Sequence, residues 1–401
     1  MRFLYTITAY PPSIGGAQIH QHLLAIHLQA LGHRVQVVTH WDSVRTDWLL
    51  GTTLKAEGKS LDYTVDGVSV HRLGFSAAER LKMLPFVPIY YAFMDVALTS
   101  IAGTIQRHIE SCASGIDLVH NTRIGREGLS LASYNLARSR NIPFVLTPVH
   151  HPRWVGWRYR TYNRLYRNAD AVIALTQAEK ATLIKLGVEE SRVHVTGMGP
   201  WLADRADPQS FLRQHGLREP IVLFVGQTYP YKGYRQLLEA TTTVWKHVPE
   251  AQFVFIGPPV MNSEDVFRQY PDPRIHRLGP VSLEEKTNAL AACTLLCMPS
   301  TQESFGGVYT EAWSFAKPVI GYPIPAVREV IADQVDGYLV EQEPQVIAER
   351  IVDLLQNPAR AQAMGRAGQE KVKRHYNWPS LAERTEAVYR SVIRQRLHVM
   401  K

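Results

Sequence analysis

Leu295-Leu-Cys-Met-Pro-Ser-Thr-Gln-Glu303-Ser-Phe-Gly-Gly-Val-Tyr-Thr-Glu311 is the stretch on which the reading of the fold turns. Leu295–Met298 is a short apolar run bounded by Pro299-Ser300, which reads as a buried strand. Glu303-Ser304-Phe305-Gly306-Gly307 then reads as a loop turning into a helix that carries Val308 and Glu311. A strand handed to a helix through such a loop is one step of a parallel α/β sheet. Gly306 and Gly307 leave the amides of the helix start open, and those amides with the helix dipole suit a phosphate. Glu303 is expected in the loop and Glu311 two helical turns further on, roughly on the same side. The two carboxylates can then touch different parts of one extended ligand, such as a diphosphate with a sugar at one end and a ribose at the other. The plainer reading is a pair of helix-terminus carboxylates favoured by the dipole.

The same alternation extends outward in both directions. Ile221–Val225, Gln252–Ile256, Ile275–Leu278 and Pro318–Gly321 read as strands, with a helix over Tyr234–Val248. In the first half, Phe3–Thr8, Arg34–Thr39, Asp117–His120, Pro143–Val149 and Ala171–Ala174 read as strands. Ala17–Leu31 reads as a helix with the apolar stripe Ile19, Leu23, Leu24, Leu28, Leu31 and a terminating Gly32. Around 197–218 the pattern loosens into glycine, proline and polar residues. The expectation is α/β: two doubly wound, Rossmann-like parallel sheets, covered on both faces and facing across a cleft. The domains are placed at residues 1–200 and 201–380, with a C-terminal helix, 381–401, packing back on the first. A chain of 401 residues is long enough for two cores.

Three further loops carry candidate chemistry. Ser13-Ile14-Gly15-Gly16-Ala17 follows the first strand and opens a helix, so Gly15 and Gly16 can let a backbone approach an anionic ligand, or simply make a tight turn. The fingerprint G-x-G-x-x-G is absent, which disfavours NAD. Gly226-Gln227-Thr228-Tyr229-Pro230-Tyr231-Lys232-Gly233 is the matching loop of the second domain. From it Lys232 can reach a diphosphate, or remain a solvated lysine. His150-His151 closes the strand Pro143–Val149, and adjacent histidines cannot both aim at the ligand face. The segment Arg153-Trp154-Val155-Gly156-Trp157-Arg158-Tyr159-Arg160 interleaves basic and aromatic residues, which suits lipid headgroups, phosphates, stacked sugars or plain helix packing.

Composition narrows the class. Apolar residues make up 45% and charged residues 20%, as in a globular protein, and the net charge is +8. Without a zinc-finger spacing or a basic block, that charge points to small anionic ligands or a membrane surface rather than nucleic acid. Cys112, Cys293 and Cys297 are too few for a disulfide scaffold and fit a reducing compartment. Residues 1–10 do not read as a signal peptide. The apolar run Pro85–Gly103 is broken by Pro88 and Asp95, and reads as a buried or interfacial helix rather than a span. The expected location is the cytoplasm, with a peripheral contact on the inner face of the membrane.

Gly226–Gly233, Glu303–Glu311, Ala316-Lys317-Pro318-Val319-Ile320, Arg328-Glu329-Val330-Ile331 and Asp336-Gly337-Tyr338-Leu339-Val340 follow in order. Together with Gly15-Gly16 they resemble family 4 of the retaining glycosyltransferases, enzymes of the GT-B fold. The resemblance implies a nucleotide-sugar donor, a UDP-sugar by family frequency, bound by the second domain. Glu311 would hold the ribose and Glu303 would contact the donor sugar. Ser304, Phe305, Gly306, Gly307 and Val308 would offer backbone to sugar and phosphate, and Lys232 would neutralise the diphosphate. Gly15-Gly16 would close on that diphosphate, and either His150 or His151 would stand beside the donor sugar. Two departures stand out: Gln227 replaces a frequent arginine, and Thr196-Gly197 replaces the usual Asn-Gly. The acceptor would be a hydroxyl of a glycan or a lipid-linked sugar, in polysaccharide or glycolipid synthesis. No Asp-x-Asp pair offers a divalent metal a site, so transfer without metal or other cofactor is expected. A non-hydrolysing nucleotide-sugar epimerase and a non-catalytic glycan-binding protein are the alternatives.

Overall fold

The computed structural model describes residues 1–13, 15–40, 49, 53–122, 128–150, 154 and 156–399. Two compact units are present: Met1–Gly197 with Trp378–Lys401, and Met198–Asn377.

In the first unit the described strands are β1 (Arg2–Thr6), β2 (Arg34–Thr39), β3 (Leu61–Val65), β4 (Val68–Arg72), β5 (Leu118–Thr122), β6 (Phe144–Thr147), β7 (Ala171–Ala174) and β8 (Val193–Val195). They form one sheet in the order β3-β4-β2-β1-β5-β6-β7-β8. The order reverses beside β1, the switch point of a doubly wound sheet. On one face the helices Gly16–Ala30 and Trp378–Val399 cover Phe3, Tyr5, Val35, Val37 and Leu118. From the C-terminal helix, Trp378, Leu381, Ala382 and Tyr389 enter that core. Burying each large apolar side chain there contributes about 1.5–3 kcal/mol. On the other face the helices Met94–Cys112 and Gly128–Ser139 supply Leu98, Ile101, Ile105, Leu129 and Leu136 against Leu4, Val38 and Leu146.

One pairing departs from the expected parallel sheet. β3 and β4 are antiparallel, with Val65 opposite Val68. The two-residue connection is Asp66-Gly67, at φ 47° and 76°. Asp-Gly with both φ positive is the turn that joins twisted antiparallel strands, so this edge is a hairpin rather than a crossover.

The second unit holds β9 (Ile221–Val225), β10 (Gln252–Ile256), β11 (Ile275–Gly279), β12 (Leu295–Met298), β13 (Val319–Gly321) and β14 (Gly337–Leu339). The order is β11-β10-β9-β12-β13-β14, and every pairing among these is parallel. β9 and β12 lie side by side at the centre, so the loops that follow them emerge together at the carboxyl edge. The helix Gly307–Ser314 is held from behind by the helix Pro358–His375. A Cβ at Gly368 would come within 2.0 Å of the Trp313 ring, so only glycine admits this approach. Trp313 is fully buried and donates its indole N–H to the carbonyl of Asp336 at 2.8 Å.

Candidate functional site

β12 ends at Met298, and the next eight residues bring the chain to a helix that begins at Gly307. Gly306 caps that helix with φ +87°, and a Cβ there would lie 2.4 Å from the Tyr309 ring. Both facts demand glycine. Tyr309 is fully buried and donates its hydroxyl to the Met298 carbonyl at 2.7 Å, tying the helix start to the strand end. Its phenol is held well above the ordinary range, first by burial and then by the nearby Glu303. Phe305 is buried against the edge of Tyr376, with ring centroids 5.2 Å apart, while Ser304 and Val308 are half-buried.

The loop after β9 approaches the same edge. Pro230–Lys232 makes a single 3-10 turn, and the helix Tyr234–His247 follows Gly233. The Gln342 amide clamps the two loops, donating to the Pro299 carbonyl at 2.6 Å and the Tyr231 carbonyl at 3.1 Å. This places the Lys232 ammonium in an ion pair with Glu303, both side chains largely shielded. Gln227 is half-buried at the start of the same loop. Glu311 is buried and pairs with Lys286 at 3.0 Å. Lys286 also donates to the Trp201 carbonyl at 2.8 Å and lies 4.5 Å from the Trp201 ring centroid.

Glu311 thus sits just over one turn inside the helix rather than two. The residues from Glu303 to Gly306 are loop, which shortens the helical separation expected from sequence. Each carboxylate has its own lysine. This corner can offer an anionic ligand one cation, the open amides of a helix start and two separated carboxylates for hydroxyls.

In the first unit, Gly15 caps the helix Gly16–Ala30 in an extended conformation, and a Cβ at Gly16 would meet nothing within 4 Å. Packing within the unit therefore does not require glycine at Gly16. β6 stops at Thr147, two residues before the expected Val149. Pro148 has no N–H for a sheet ladder, and Val149 turns to φ +48°. His150 follows, buried. Its main-chain N–H donates to Glu179 at 2.6 Å, and its Nδ1 lies 3.2 Å from the Tyr166 hydroxyl. Trp154 and Tyr166 meet the ring edge-on, each with centroids 5.8 Å away. Burial lowers the imidazole pKa. His151, with Arg153 and Val155, lies outside the described residues.

The basic aromatic segment divides in two. Trp154, Tyr159 and Tyr162 pack on one another. Trp157 faces outward, with Arg160 5.4 Å from its ring centroid.

Comparison with known proteins covers both units. Residues 15–199 match the family described as "Glycosyl transferase 4-like domain", and residues 208–371 match "Glycosyl transferases group 1". The chain belongs to the GT4-like glycosyltransferases. Among curated relatives, the α-maltose-1-phosphate synthase of Mycolicibacterium smegmatis is 29% identical, over 56% of this chain and 64% of its own length. A D-inositol 3-phosphate glycosyltransferase from Kineococcus radiotolerans is 26% identical over 95% of this chain and 92% of its own. Several relatives are longer: the chain spans 62% of the Segniliparus rotundus and 54% of the Nocardioides D-inositol 3-phosphate glycosyltransferases. Among solved structures, sucrose-phosphate synthase from Thermosynechococcus elongatus aligns with a TM-score of 0.76 at 20% identity, covering 98% of this chain and 100% of its own. Anabaena HepE in complex with UDP and glucose aligns at 0.72 and 18%, with coverage of 98% and 100%. These likenesses show the GT-B fold.

For this glycosyltransferase, the sequence motifs contain Lys232 and Glu303, which the structure joins, and Glu311. They do not contain Lys286, Tyr166 or Glu179. Lys286 lies inside an ordinary helical run, Leu283–Ala292, and nothing in its neighbours marks it. Glu179 stands three residues after Thr176, the spacing of a helix-capping pair, which disguises it. Thr176 does cap the helix, accepting from the Glu179 N–H at 3.1 Å. The Glu179 carboxylate turns instead to the N–H groups of Leu175 and His150.

Proposed function

We propose that the chain transfers a sugar from a UDP-sugar, such as UDP-glucose, to an acceptor hydroxyl with retained anomeric configuration. The observation that carries this is the corner where Lys232 and Glu303 meet at the glycine-led start of the helix Gly307–Ser314, with Glu311 one turn further along. The diphosphate of the donor takes the ammonium of Lys232 and the amides after Gly306. Glu311 accepts the ribose hydroxyls and Glu303 a hydroxyl of the sugar. In the reaction the bond from the anomeric carbon to the phosphate oxygen breaks, and the electron pair leaves with the diphosphate. The acceptor oxygen bonds to that carbon from the same face, and its proton passes to the departing phosphate oxygen. Charge grows on the diphosphate, and fixed donors aimed there lower the barrier by electrostatics. His150, whose imidazole pKa is lowered by burial, is the histidine placed here beside the reacting sugar, His151 lying outside the described residues. Transfer is expected to need no metal and to survive a chelator. HepE, with the same fold, is known in complex with UDP and with UDP-glucose.

The acceptor is proposed to be a glycan or lipid-linked sugar reached at a membrane surface, in polysaccharide or glycolipid synthesis. Leu81, Leu84, Phe93, Val96 and Trp157 are exposed in the first unit. Arg160 and Arg164 pair with Asp95 at 3.4 and 3.2 Å, and Arg158 lies over Tyr91, which brings Trp157 and the arginines to the Tyr91–Val96 side. Apolar tips beside arginines suit an anionic interface. No helix among the described residues is long and apolar enough to cross a membrane. Flotation with vesicles containing an anionic lipid tests this: wild type floats, Phe93→Ser with Trp157→Ser does not, and equal flotation of both removes the patch from the reading. A thermal-shift screen of nucleotides and nucleotide-sugars tests the donor assignment, because a ligand of the folded state raises Tm. UDP and a UDP-sugar are expected to raise it, and a shift with no nucleotide diphosphate would contradict the assignment.

A further inference from the structure

The chain around His150 is held in a conformation that its own residues disfavour. Val149 is β-branched, yet it adopts φ +48°. Left-handed backbone at such a residue persists only where the surroundings over-determine it. The residues on either side show what does so. β6 and β7 are neighbours, paired through Val145↔Ala171 and Leu146↔Val172. Beyond their ends, the Glu179 carboxylate accepts the N–H of His150 at 2.6 Å with one oxygen, and the N–H of Leu175 at 2.8 Å with the other. Glu179 is buried on the first turn of the helix Gln177–Lys185, whose start Thr176 fixes. Both N–H groups point into the protein, where an unmet donor is costly. No neutral side chain offers two acceptor oxygens in that fork.

We propose that Glu179 is a positioning residue: its carboxylate pins the main chain of His150, holds Val149 left-handed, and so presents the imidazole in one place. Tyr166 completes the setting by engaging Nδ1, which leaves Nε2 as the ring nitrogen for a substrate hydroxyl. Burial lifts Glu179 to about 7, against the pull of its two N–H bonds, so both oxygens are free to accept only above that pH and the clamp is tested there. The functional weight of this clamp rests on the assignment of His150 to the reacting sugar.

Glu179→Gln keeps the shape, but an amide can accept only one of the two N–H groups and turns a donor toward the other. Val149 is then free to relax and carry His150 with it. Val149→Gly removes the tension that drives this relaxation, so the second change should repair the first. The test uses wild type, Glu179→Gln, Val149→Gly and the double variant, read in two ways. The first is the His150 imidazole resonances of the free protein, by 1H–15N NMR with labelled histidine. The second is release of UDP from UDP-glucose.

Glu179→Gln should move the His150 resonances and lower kcat on the order of tenfold to a hundredfold, with KM for UDP-glucose within about twofold. The double variant should recover part of that loss, and Val149→Gly alone should lie near wild type. Unmoved His150 resonances in Glu179→Gln overturn the proposal, as does a kcat loss that Val149→Gly deepens. If Glu179→Gln fails to fold, Glu179→Asp, one methylene shorter, carries the same expectations. His150→Ala separates the two readings: unchanged UDP release there, with moved resonances in Glu179→Gln, removes the role of His150 but leaves the clamp standing. Absence of UDP release by wild type removes the donor assignment, and the resonances still decide the clamp.

Discussion

Paired charged side chains organise the start of the helix Gly307–Ser314, whereas a single carboxylate holding main-chain N–H groups organises the end of β6. At the first, Lys232 meets Glu303 and Lys286 meets Glu311, so each lysine–glutamate pair can exchange partners when a ligand brings its own charge or hydroxyls. At the second, one buried carboxylate grips two N–H groups and a valine is bent out of its preferred region. The first arrangement is suited to binding and release, the second to holding one group still. The difference predicts different kinds of damage. Changes at the helix start should act on donor chemistry and on the balance of shielded charge, whereas changes at the strand end should act through position.

The largest effect is expected at Glu303. Glu303→Gln should lower kcat for UDP release on the order of 10²–10³-fold, the size seen when one pre-organised polar contact to a transition state is removed. Circular dichroism should stay near wild type, while Tm should fall because the shielded Lys232 ammonium loses its partner. Next is Lys286→Met, which strands the shielded Glu311 carboxylate without its cation. Denaturant unfolding should show a loss of about 3 kcal/mol, and Glu311→Gln added to it should restore much of this. The Val149–Glu179 corner contributes a pH dependence instead. Glu179 is raised from 4.5 to about 7, so the folded state keeps a proton that the unfolded chain has already lost. That stability is fully present below about pH 4.5 and is lost as pH rises through about 7. Relative to Glu179→Gln, wild type should therefore lose up to roughly 3 kcal/mol across this window, measured by urea unfolding at several pH values. The smallest effect is Val149→Gly, where relieved strain and added chain entropy oppose each other and the net change should stay within about 1 kcal/mol.

The two corners also differ in how far the sequence reveals them. Periodicity locates Arg34–Thr39, Ala171–Ala174, Ile221–Val225, Gln252–Ile256 and Leu295–Met298 at the bounds the structure shows, because buried parallel strands are continuous apolar runs between breakers. The hairpin at Asp66-Gly67 escapes that reading because β3 is mostly exposed and carries Asp62 and Thr64 among its five residues. Lys232 and Glu303 are each legible because both lie in short glycine-marked loops after strands, but their ion pair is not, since it follows from the sheet order that brings β9 and β12 together. Lys286 is not legible, since its partner lies 25 positions away on another helix and no local pattern couples them. Glu179 is not legible either, because three residues after Thr176 it has the spacing of a helix cap, and its engagement of the His150 N–H depends on tertiary packing. The strand end at Thr147 could have been read from Pro148; the left-handed Val149 could not, since valine is among the residues least expected there.

The donor assignment is tested most directly by calorimetric titration of UDP-glucose into wild type and Glu311→Ala. Wild type should bind, and Glu311→Ala should bind at least about tenfold more weakly, the loss of one charge-assisted hydrogen bond to the ribose. Equal affinity in the two proteins, or no binding to wild type by UDP-glucose or by UDP alone, would contradict a nucleotide-sugar site at Glu303–Glu311.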